Sequence, residues 1–315
     1  MPNFGDALNP LLAARVFGNI FSDAAAEHLL FIGTIIEPAA PAGVHEIIVG
    51  AGAGYLQGPF SLDNRTVLCV RGPLTCNLLN IDSAYAAIDP ASLAARFFAP
   101  TVAVAAIPAF MPHHQTHAVA GGVLESLCRD AGIDYICPVD EPLAVMAKIS
   151  GAACLITEAL HGAIVAHSYE VPWVPVVLGP QILGIKWRDF AATIGTVYAP
   201  VDICPNIAFD GAVCAANVMK YALARMGMGK ARYRYYPIRR STPAVLGRLQ
   251  RALVQLTRGP FVVSDPAVQA RSIQRLDTAI ERFHELRGHA ATAGGARRDG
   301  RHRVAVSPPR VSATV

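Results

Sequence analysis

Charged residues are scarce in this sequence, and it has neither a long uninterrupted apolar run nor closely paired cysteines. Only 16% of the 315 residues are charged and 53% are hydrophobic, a composition that favours a large core and excludes global disorder. The most apolar stretch, residues 164–178, is interrupted by His167, Glu170 and two prolines, so it falls short of the roughly 18 apolar residues that span a bilayer. The first six residues lack a basic region followed by an apolar run, so we expect no signal peptide and a cytoplasmic protein.

The seven cysteines are scattered and include no C-x-x-C pair. Most lie among apolar residues, which predicts buried free thiols in a reducing compartment. His113, His114 and His117 lie close together, but no acidic or further ligand stands at a suitable spacing. We therefore expect no metal site.

Charge is divided unevenly along the chain. Residues 230–315 hold 17 Lys and Arg against 5 Asp and Glu, a net charge of +12, whereas residues 1–229 hold 10 against 18, a net charge of −8. This pattern predicts an acidic globular body with a basic extension. The extension is open to two interpretations: peripheral contact with anionic lipid headgroups, or a solvated tail without a partner. Nucleic acid is not expected, because few aromatic residues are interleaved with the arginines.

Short apolar runs alternate with helical patterns, which is typical of parallel α/β units. The predicted strands are residues 29–32, 46–49, 67–70, 102–107, 135–136, 154–157 and 174–177. The predicted helices are residues 6–17, 73–79, 121–131, 141–150 and 161–169, followed by amphipathic helices at 242–257 and 267–286. We predict two Rossmann-like domains, 1–100 and 101–228, facing each other across a cleft, then a basic helical extension at 229–287 and a disordered tail at 288–315.

The chain opens with an Asn-Phe-Gly-Asp motif. Gly5 precedes a predicted helix, where backbone amides and the helix dipole favour an anion. Asp6 is either functional or a helix cap, and Asn3 and Asn9 are further polar candidates at this end.

A glycine-rich run, residues 50–54, follows the second predicted strand. It resembles a dinucleotide fingerprint, but its third glycine is out of register and no acidic residue ends the next strand. We interpret Gly52 as part of a tight turn beside a sugar or phosphate, with a purely structural turn as the alternative.

Arg71 and Asp89 each end an apolar run in the first predicted domain. Gly72-Pro73 after Arg71 favours a helix start, so the guanidinium is expected to face the cleft, where carboxylate or phosphate suits its planar donors. Asp89 is either a similar site residue or a helix cap.

Histidines mark the second predicted domain. His113 follows an apolar run and is a candidate ligand or acid. His161 and Gly162 open a predicted helix after Glu158, and an imidazole there tends to stay neutral and able to exchange a proton near pH 7. A structural histidine is the alternative. Lys186 adds a cation, or else begins a solvated helix.

In this order, the motifs resemble those of the polysaccharide pyruvyl transferase family, most closely its branch that forms ketals on exopolysaccharides. The similarity extends over residues 3–290, and its landmarks are Asn3–Asp6, Arg71–Thr75, Asp89–Ala91, Pro112–His113, Leu160–Ile164 and Lys186–Phe190. The resemblance implies a fold like that of GT-B glycosyltransferases, phosphoenolpyruvate as co-substrate and no other cofactor. One position departs from the family, because Ala159 stands where many members carry a donor-binding arginine.

For such a reaction we predict three groups of residues. The catalytic group has His161 as general acid and Asp6 or Glu158 as base. The donor-binding group is Arg71, Lys186, Gly5, Gly162 and His113. The acceptor or cleft group is Asn3, Asn9, Gly52 and Asp89. The expected acceptor is a lipid-linked oligosaccharide at the inner face of the plasma membrane. Two alternatives remain: a nucleotide-sugar glycosyltransferase of similar architecture, and a non-catalytic scaffold for polysaccharide assembly.

Overall fold

A computed structural model of the protein describes residues 3–18, 20, 26–55, 58–101, 106–179, 181–203, 207–208, 239–293 and 305–306. Its helices are α1 (Phe4–Phe17), α2 (Pro73–Leu79), α3 (Ala94–Phe97), α4 (His114–Asp130), α5 (Pro142–Ser150), α6 (Leu160–Ser168), α7 (Gly184–Thr193), α8 (Pro243–Leu256) and α9 (Pro266–Ala293). Its strands are β1 (Glu27–Leu30), β2 (His45–Val49), β3 (Arg65–Cys69), β4 (Ala109–Met111), β5 (Asp134–Tyr135), β6 (Leu155–Thr157), β7 (Trp173–Val177), β8 (Val201–Asp202), β9 (Ile207–Ala208), β10 (Arg239–Arg240) and β11 (Ala305–Val306).

The described strands pair in parallel and form three sheets. Their orders are β11-β1-β2-β3, β5-β4-β6-β7-β8 and the two-stranded β10-β9. Strands β4 and β6 are buried along their whole length, as expected of parallel strands covered by helices on both faces. The predicted parallel α/β class is therefore confirmed.

The chain divides into two compact units. The first takes its described residues from 1–99, 184–198 and 263–315, and the second from 100–183 and 199–262. Both units are therefore discontinuous in sequence, unlike the predicted domains. The predicted domain division at residues 100, 228 and 287, and the arrangement of two Rossmann-like domains across a cleft, stay predictions.

In the first unit, helix α9 completes the core. Phe283 of this helix is buried against Phe17 of α1, with ring centroids 4.6 Å apart, and Phe17 packs edge-on against Phe31 at 5.0 Å. The Arg275 Nη1 donates to the carbonyl of Ala86 at 3.0 Å. A helix predicted as part of a basic extension thus supplies core side chains to the first unit.

In the second unit, helix α8 has the same role. Leu249, Leu253 and Leu256 lie on its buried face and pack in the cluster that contains Phe110 and Ile156 from the sheet. Pro243 begins the helix and Thr242 caps it, accepting a hydrogen bond from the Val245 amide.

Most element predictions agree with the structure within two residues at each end, and three need correction. The helix expected at 121–131 begins at His114, because His113 caps it and Gly121 is accommodated inside it. Of the strand expected at 102–107, residues 102–105 lie outside the described residues and residues 106–107 are not part of a strand; the next strand, β4, begins at Ala109. The helix expected at 267–286 continues to Ala293 as α9, so residues 288–293 of the predicted disordered tail are helical, and Ala305–Val306 pair with β1.

Five cysteines fall within the described residues, and all are free thiols. Cys69, Cys76, Cys128 and Cys154 are buried, as expected, whereas Cys137 is partly exposed. Cys204 and Cys214 lie outside the described residues. Among the described helices, none combines the length and the apolar character needed to cross a membrane.

Candidate functional site

The predicted site residues divide between the two units. The first unit holds Asn3, Gly5, Asp6, Asn9, Gly52, Arg71, Asp89 and Lys186, and the second holds His113, Glu158, His161 and Gly162. In both units many of them follow the carboxyl ends of parallel strands, where loops of doubly wound sheets bind ligands.

Arg71 lies just beyond β3 with its side chain completely buried. Its Nε donates to Oδ2 of Asp189 at 3.1 Å, and its Nη1 donates to the Thr34 hydroxyl at 2.8 Å. Its Nη2 has no hydrogen-bond partner among the described residues. A buried donor without an acceptor is costly, so this nitrogen is a candidate contact for an anionic oxygen.

Gly52, in the loop after β2, lies against the same guanidinium. A Cβ added to Gly52 would lie 2.7 Å from Nη1 of Arg71 and still closer to Cζ and Nη2. The structure therefore brings two predicted site residues together, and Gly52 serves there by making room for Arg71.

Asp189 of α7 was not predicted as a site residue, yet it is the centre of this network. Its carboxylate is buried and accepts hydrogen bonds from the Leu74 and Thr75 amides at 2.8 and 3.2 Å, and from the Thr75 hydroxyl at 2.5 Å. It thereby caps α2, whose own N-cap residue, Gly72, has no side chain. The only signal in the sequence was its place within the Lys186–Phe190 motif.

Lys186 lies one helical turn before Asp189 on α7. Its Nζ donates to the Tyr55 hydroxyl at 2.5 Å and lies 4.6 Å from the centroid of the Tyr55 ring. The lysine is therefore held by a cation–π contact as well as a hydrogen bond. Tyr55 was another residue that the sequence did not single out.

The α1 residues have local structural contacts. The Asn3 side chain accepts hydrogen bonds from the Gly5 and Asp6 amides at 3.0 and 3.2 Å, and Asp6 accepts from the Asn3 side chain at 2.6 Å. Asn3 and Asp6 thus form a capping box. Asn9 is buried and accepts from the Ile32 amide at 3.1 Å.

Asp89 is buried and caps a short 3-10 helix, Pro90–Leu93, by accepting from the Ala91 amide at 3.0 Å. Pro90 packs against Gly50, where a Cβ would lie 2.6 Å from the proline Cδ. The contact of Asp89 with the Ala91 amide is that of the helix cap, which was its alternative interpretation.

In the second unit, Glu158 connects the ends of three strands. Its Oε2 accepts from the His113 amide, after β4, at 3.2 Å, and its Oε1 accepts from the Leu178 amide, after β7, at 2.7 Å. Thr116, which accepts a hydrogen bond from the Gln181 side chain, also contacts the carboxylate. Glu158 itself follows β6 and is completely buried.

Burial raises the pKa of the Glu158 carboxyl from 4.5 to about 7, although the hydrogen bonds from Thr116, Leu178 and His113 lower it in part. A carboxyl group with such a pKa exchanges its proton near neutral pH.

His161 is the second residue of α6 and is partly buried. Gly162 beside it is fixed by packing, because a Cβ there would lie 2.7 Å from the Met111 sulfur. Ala159 provides no side-chain cap to α6. Thr157 binds this turn instead, accepting a hydrogen bond from the Ala159 amide at 2.9 Å.

His113 is the N-cap of α4, and its Nδ1 accepts from the Gln115 amide at 3.4 Å. Its ring centroid lies 4.2 Å from that of His114. Within the described part of the chain, no three His, Cys, Asp or Glu side chains come together as metal ligands would.

Comparison with known proteins adds the family. The model of the polysaccharide pyruvyl transferase family matches residues 17–179, more than half of the chain. The chain belongs to this family. The family that the sequence motifs resemble is therefore confirmed.

The chain is also similar to the succinoglycan biosynthesis protein ExoV of Rhizobium meliloti strain 1021. The two are 33% identical over 213 residues, which cover 63% of this chain and 63% of that protein. No solved structure gives a significant match. Arg71, Glu158, His161 and Gly162 lie within the family match, whereas Asn3, Asp6, Lys186 and Asp189 lie outside it.

Proposed function

We propose that this family member transfers the pyruvyl group of phosphoenolpyruvate onto a sugar of an exopolysaccharide precursor as a cyclic ketal. The observation that carries the proposal is the family match over residues 17–179. The similarity to a protein named for succinoglycan biosynthesis supports an exopolysaccharide precursor as acceptor.

The proposed reaction forms two bonds from C2 of the donor to sugar oxygens and breaks the bond from C2 to the phosphate oxygen. The general acid delivers a proton to C3 and is restored by the proton of one sugar hydroxyl. The proton of the second hydroxyl leaves with the phosphate. The donor carries about three negative charges, so its burial requires paired cations. Arg71 and Lys186 are proposed to supply them, with help from the Gly5 and Gly162 amides and from His113.

Of these contacts, the Gly5 amide is already used by the Asn3 side chain. Nη2 of Arg71 is the donor best suited to an anionic oxygen, because it is buried and has no partner among the described residues. Lys186 supplies a positive charge near the surface, because its Nζ donates a hydrogen bond to the hydroxyl of Tyr55, an exposed residue.

His161 is proposed as the general acid that protonates C3, and Glu158 or Asp6 as the base. The pKa of Glu158 near 7 suits a base, but both carboxylate oxygens accept backbone hydrogen bonds. Asp6 is likewise bound in its capping box. To act as the base, Glu158 or Asp6 must therefore give up one of these hydrogen bonds and accept one from a sugar hydroxyl instead. The remaining predicted residues, Asn3, Asn9, Gly52 and Asp89, stay proposals for acceptor contacts.

The test is release of inorganic phosphate from phosphoenolpyruvate in the presence of a panel of lipid-linked sugars. We expect release that depends on both substrates, and His161→Ala is expected to slow it about 10²–10⁴-fold. His45→Ala, which removes an imidazole that is hydrogen-bonded to Thr66 and lies outside the proposed site residues, is the control. Release of a nucleoside diphosphate from a nucleotide sugar would instead support a glycosyltransferase, and no turnover with any donor would support a scaffold.

We also propose peripheral contact with the inner face of the plasma membrane through α8. Arg248, Arg251 and Arg258 are exposed on or just beyond this helix, and no acidic residue occurs between Thr242 and Arg258. Each basic residue near an anionic surface adds about 1 kcal/mol of attraction.

Changing these three arginines to Gln should reduce co-sedimentation with anionic vesicles, and high salt should reduce it further. Deletion of residues 230–315 is unsuitable for this test, because α8 and α9 supply core side chains. Unchanged binding of the triple variant would exclude this surface.

A further inference from the structure

Asp189 has more partners than capping a short helix requires. One carboxylate receives Nε of Arg71, two backbone amides of α2 and the hydroxyl of Thr75. Its ion pair with Arg71 is buried on both sides, with exposed side-chain fractions of 0% and 1%. The two residues are 118 positions apart in the sequence, so the network is made entirely by the fold.

Helix α2 could have been capped locally. A Ser, Thr, Asp or Asn at its N-cap would satisfy the first amides from within the helix. The chain has Gly72 there instead, and a Cβ at this position would lie 2.5 Å from Oδ1 of Asp189. The absence of a side chain at Gly72 therefore admits the carboxylate of Asp189 to the helix start.

The helix that carries Asp189 also carries Lys186. The two residues are three positions apart on α7, a spacing that places side chains on neighbouring parts of one helix face. The contacts of Asp189 with Arg71 and α2 therefore fix the helix segment from which Lys186 reaches Tyr55. Both cations proposed for the donor thus depend on one carboxylate for their positions.

The carboxylate also determines which donors of Arg71 are used. Asp189 takes Nε and Thr34 takes Nη1, so Nη2 is the nitrogen left without an acceptor. Without the carboxylate, the guanidinium would lose its charged partner, and of these two hydrogen bonds only the one to Thr34 would still hold it.

We infer that Asp189 is a positioning residue of the donor site, which holds Arg71 with Nη2 available to an anionic oxygen and holds Lys186 in place through α7. The inference rests on the proposed function, because it assigns these cations to the donor. Asp189 itself does not touch the reacting atoms.

The test compares Asp189→Asn with Glu46→Gln in the phosphate-release assay, together with unfolding temperatures. Glu46 forms the other fully buried ion pair described in this unit, with Arg65 at 2.8 Å, and is not a site residue. Both variants should lower the unfolding temperature. Asp189→Asn alone should raise the KM for phosphoenolpyruvate by about 10- to 100-fold, as expected when a binding group is misplaced.

An unchanged KM in folded Asp189→Asn, with only the unfolding temperature lowered, would overturn the inference and leave Asp189 as a structural clamp. If Asp189→Asn does not fold, Arg71→Lys decides, because it can keep the charge pair but lacks Nη2. We expect it to fold and to show the raised KM, and a normal KM would equally overturn the inference. If the wild-type protein neither binds phosphoenolpyruvate nor turns it over, the proposed function is overturned as well. If the wild type is active and only the expected rise in KM is missing, the inference about Asp189 alone fails.

Discussion

Gly52 and Arg71 fill one space: the guanidinium of Arg71 lies where a side chain at position 52 would be. The two residues follow neighbouring parallel strands, β2 and β3. The other glycines of the same loop also have packing partners, Pro90 for Gly50 and Ile185 for Gly54. The glycine-rich run is thus explained by close packing at the sheet edge, without a bound dinucleotide.

Gly52→Ala should therefore displace Arg71. We expect a loss of about 1–3 kcal/mol in stability, the usual cost of overpacking, together with weaker binding of phosphoenolpyruvate. The matched control is Gly122→Ala, because Gly122 lies in the exposed part of α4 with no atom within 4 Å of an added Cβ. Alanine there should be neutral or stabilising by up to about 1 kcal/mol. Thermal unfolding measures both, and equal effects of the two substitutions would contradict the packing argument.

The fold was largely readable from local pattern. Strands such as β2 and β6 are short apolar runs followed by turn residues, and Pro73 correctly marked the start of α2. The start of α4 was missed, because the histidines at 113, 114 and 117 and the two glycines at 121 and 122 obscure the helical pattern. His113 caps the start of this helix, and the residue composition around it does not indicate this contact.

The site was harder to predict than the fold. Arg71 and His161 could be proposed because each follows a predicted strand. The importance of Asp189 depends on contacts over more than a hundred residues, for which a single sequence contains no local signal. Glu158 was singled out for its position, but its raised pKa arises from burial between three strand ends, which only the fold establishes.

Glu158 should make stability depend on pH in a specific direction. Its folded pKa of about 7 lies above the ordinary value of 4.5. Below pH 4.5 the carboxyl is protonated in both states, and its contribution to stability is fully present. As the pH rises through about 7 this contribution is lost, because the unfolded state releases the proton more readily. The loss amounts to about 3 kcal/mol.

Glu158→Gln removes this titration. We expect its unfolding midpoint to change less between pH 5 and pH 8 than that of the wild type. Glu125→Gln, at an exposed position on α4, is the control for loss of a carboxylate. Parallel pH profiles for wild type and Glu158→Gln would contradict the raised pKa.

The role of α9 in the core can be tested with two side chains one turn apart. Phe283 is fully buried against Phe17, whereas Leu286 is 50% exposed. Phe283→Ala should destabilise the protein by about 3–5 kcal/mol, and Leu286→Ala by about 0.5 kcal/mol or less. Chemical denaturation distinguishes these values. Similar small losses for both would show that α9 is dispensable to the first unit.

Cys137 should be the thiol that reacts first among the described cysteines. It is partly exposed, and its sulfur lies 3.5 Å from Nε2 of His117, which accepts the thiol proton in the tautomer that has its hydrogen on Nδ1. Burial raises the pKa of the Cys69 and Cys128 thiols to about 12 and that of Cys76 to about 11, so these remain protonated and shielded. Burial also raises the pKa of Cys137, so its reaction should accelerate with rising pH.

The experiment uses iodoacetamide on native protein carrying Cys204→Ser and Cys214→Ser, with mass spectrometry of the peptides. Modification should begin at Cys137 and reach the four buried cysteines only after denaturation in urea. His117→Ala should slow the reaction if the imidazole accepts the proton, and should leave it unchanged if exposure alone decides. Prior labelling of Cys69, Cys76, Cys128 or Cys154 in native protein would contradict the burial of these thiols, because alkylation requires access of the reagent to the sulfur.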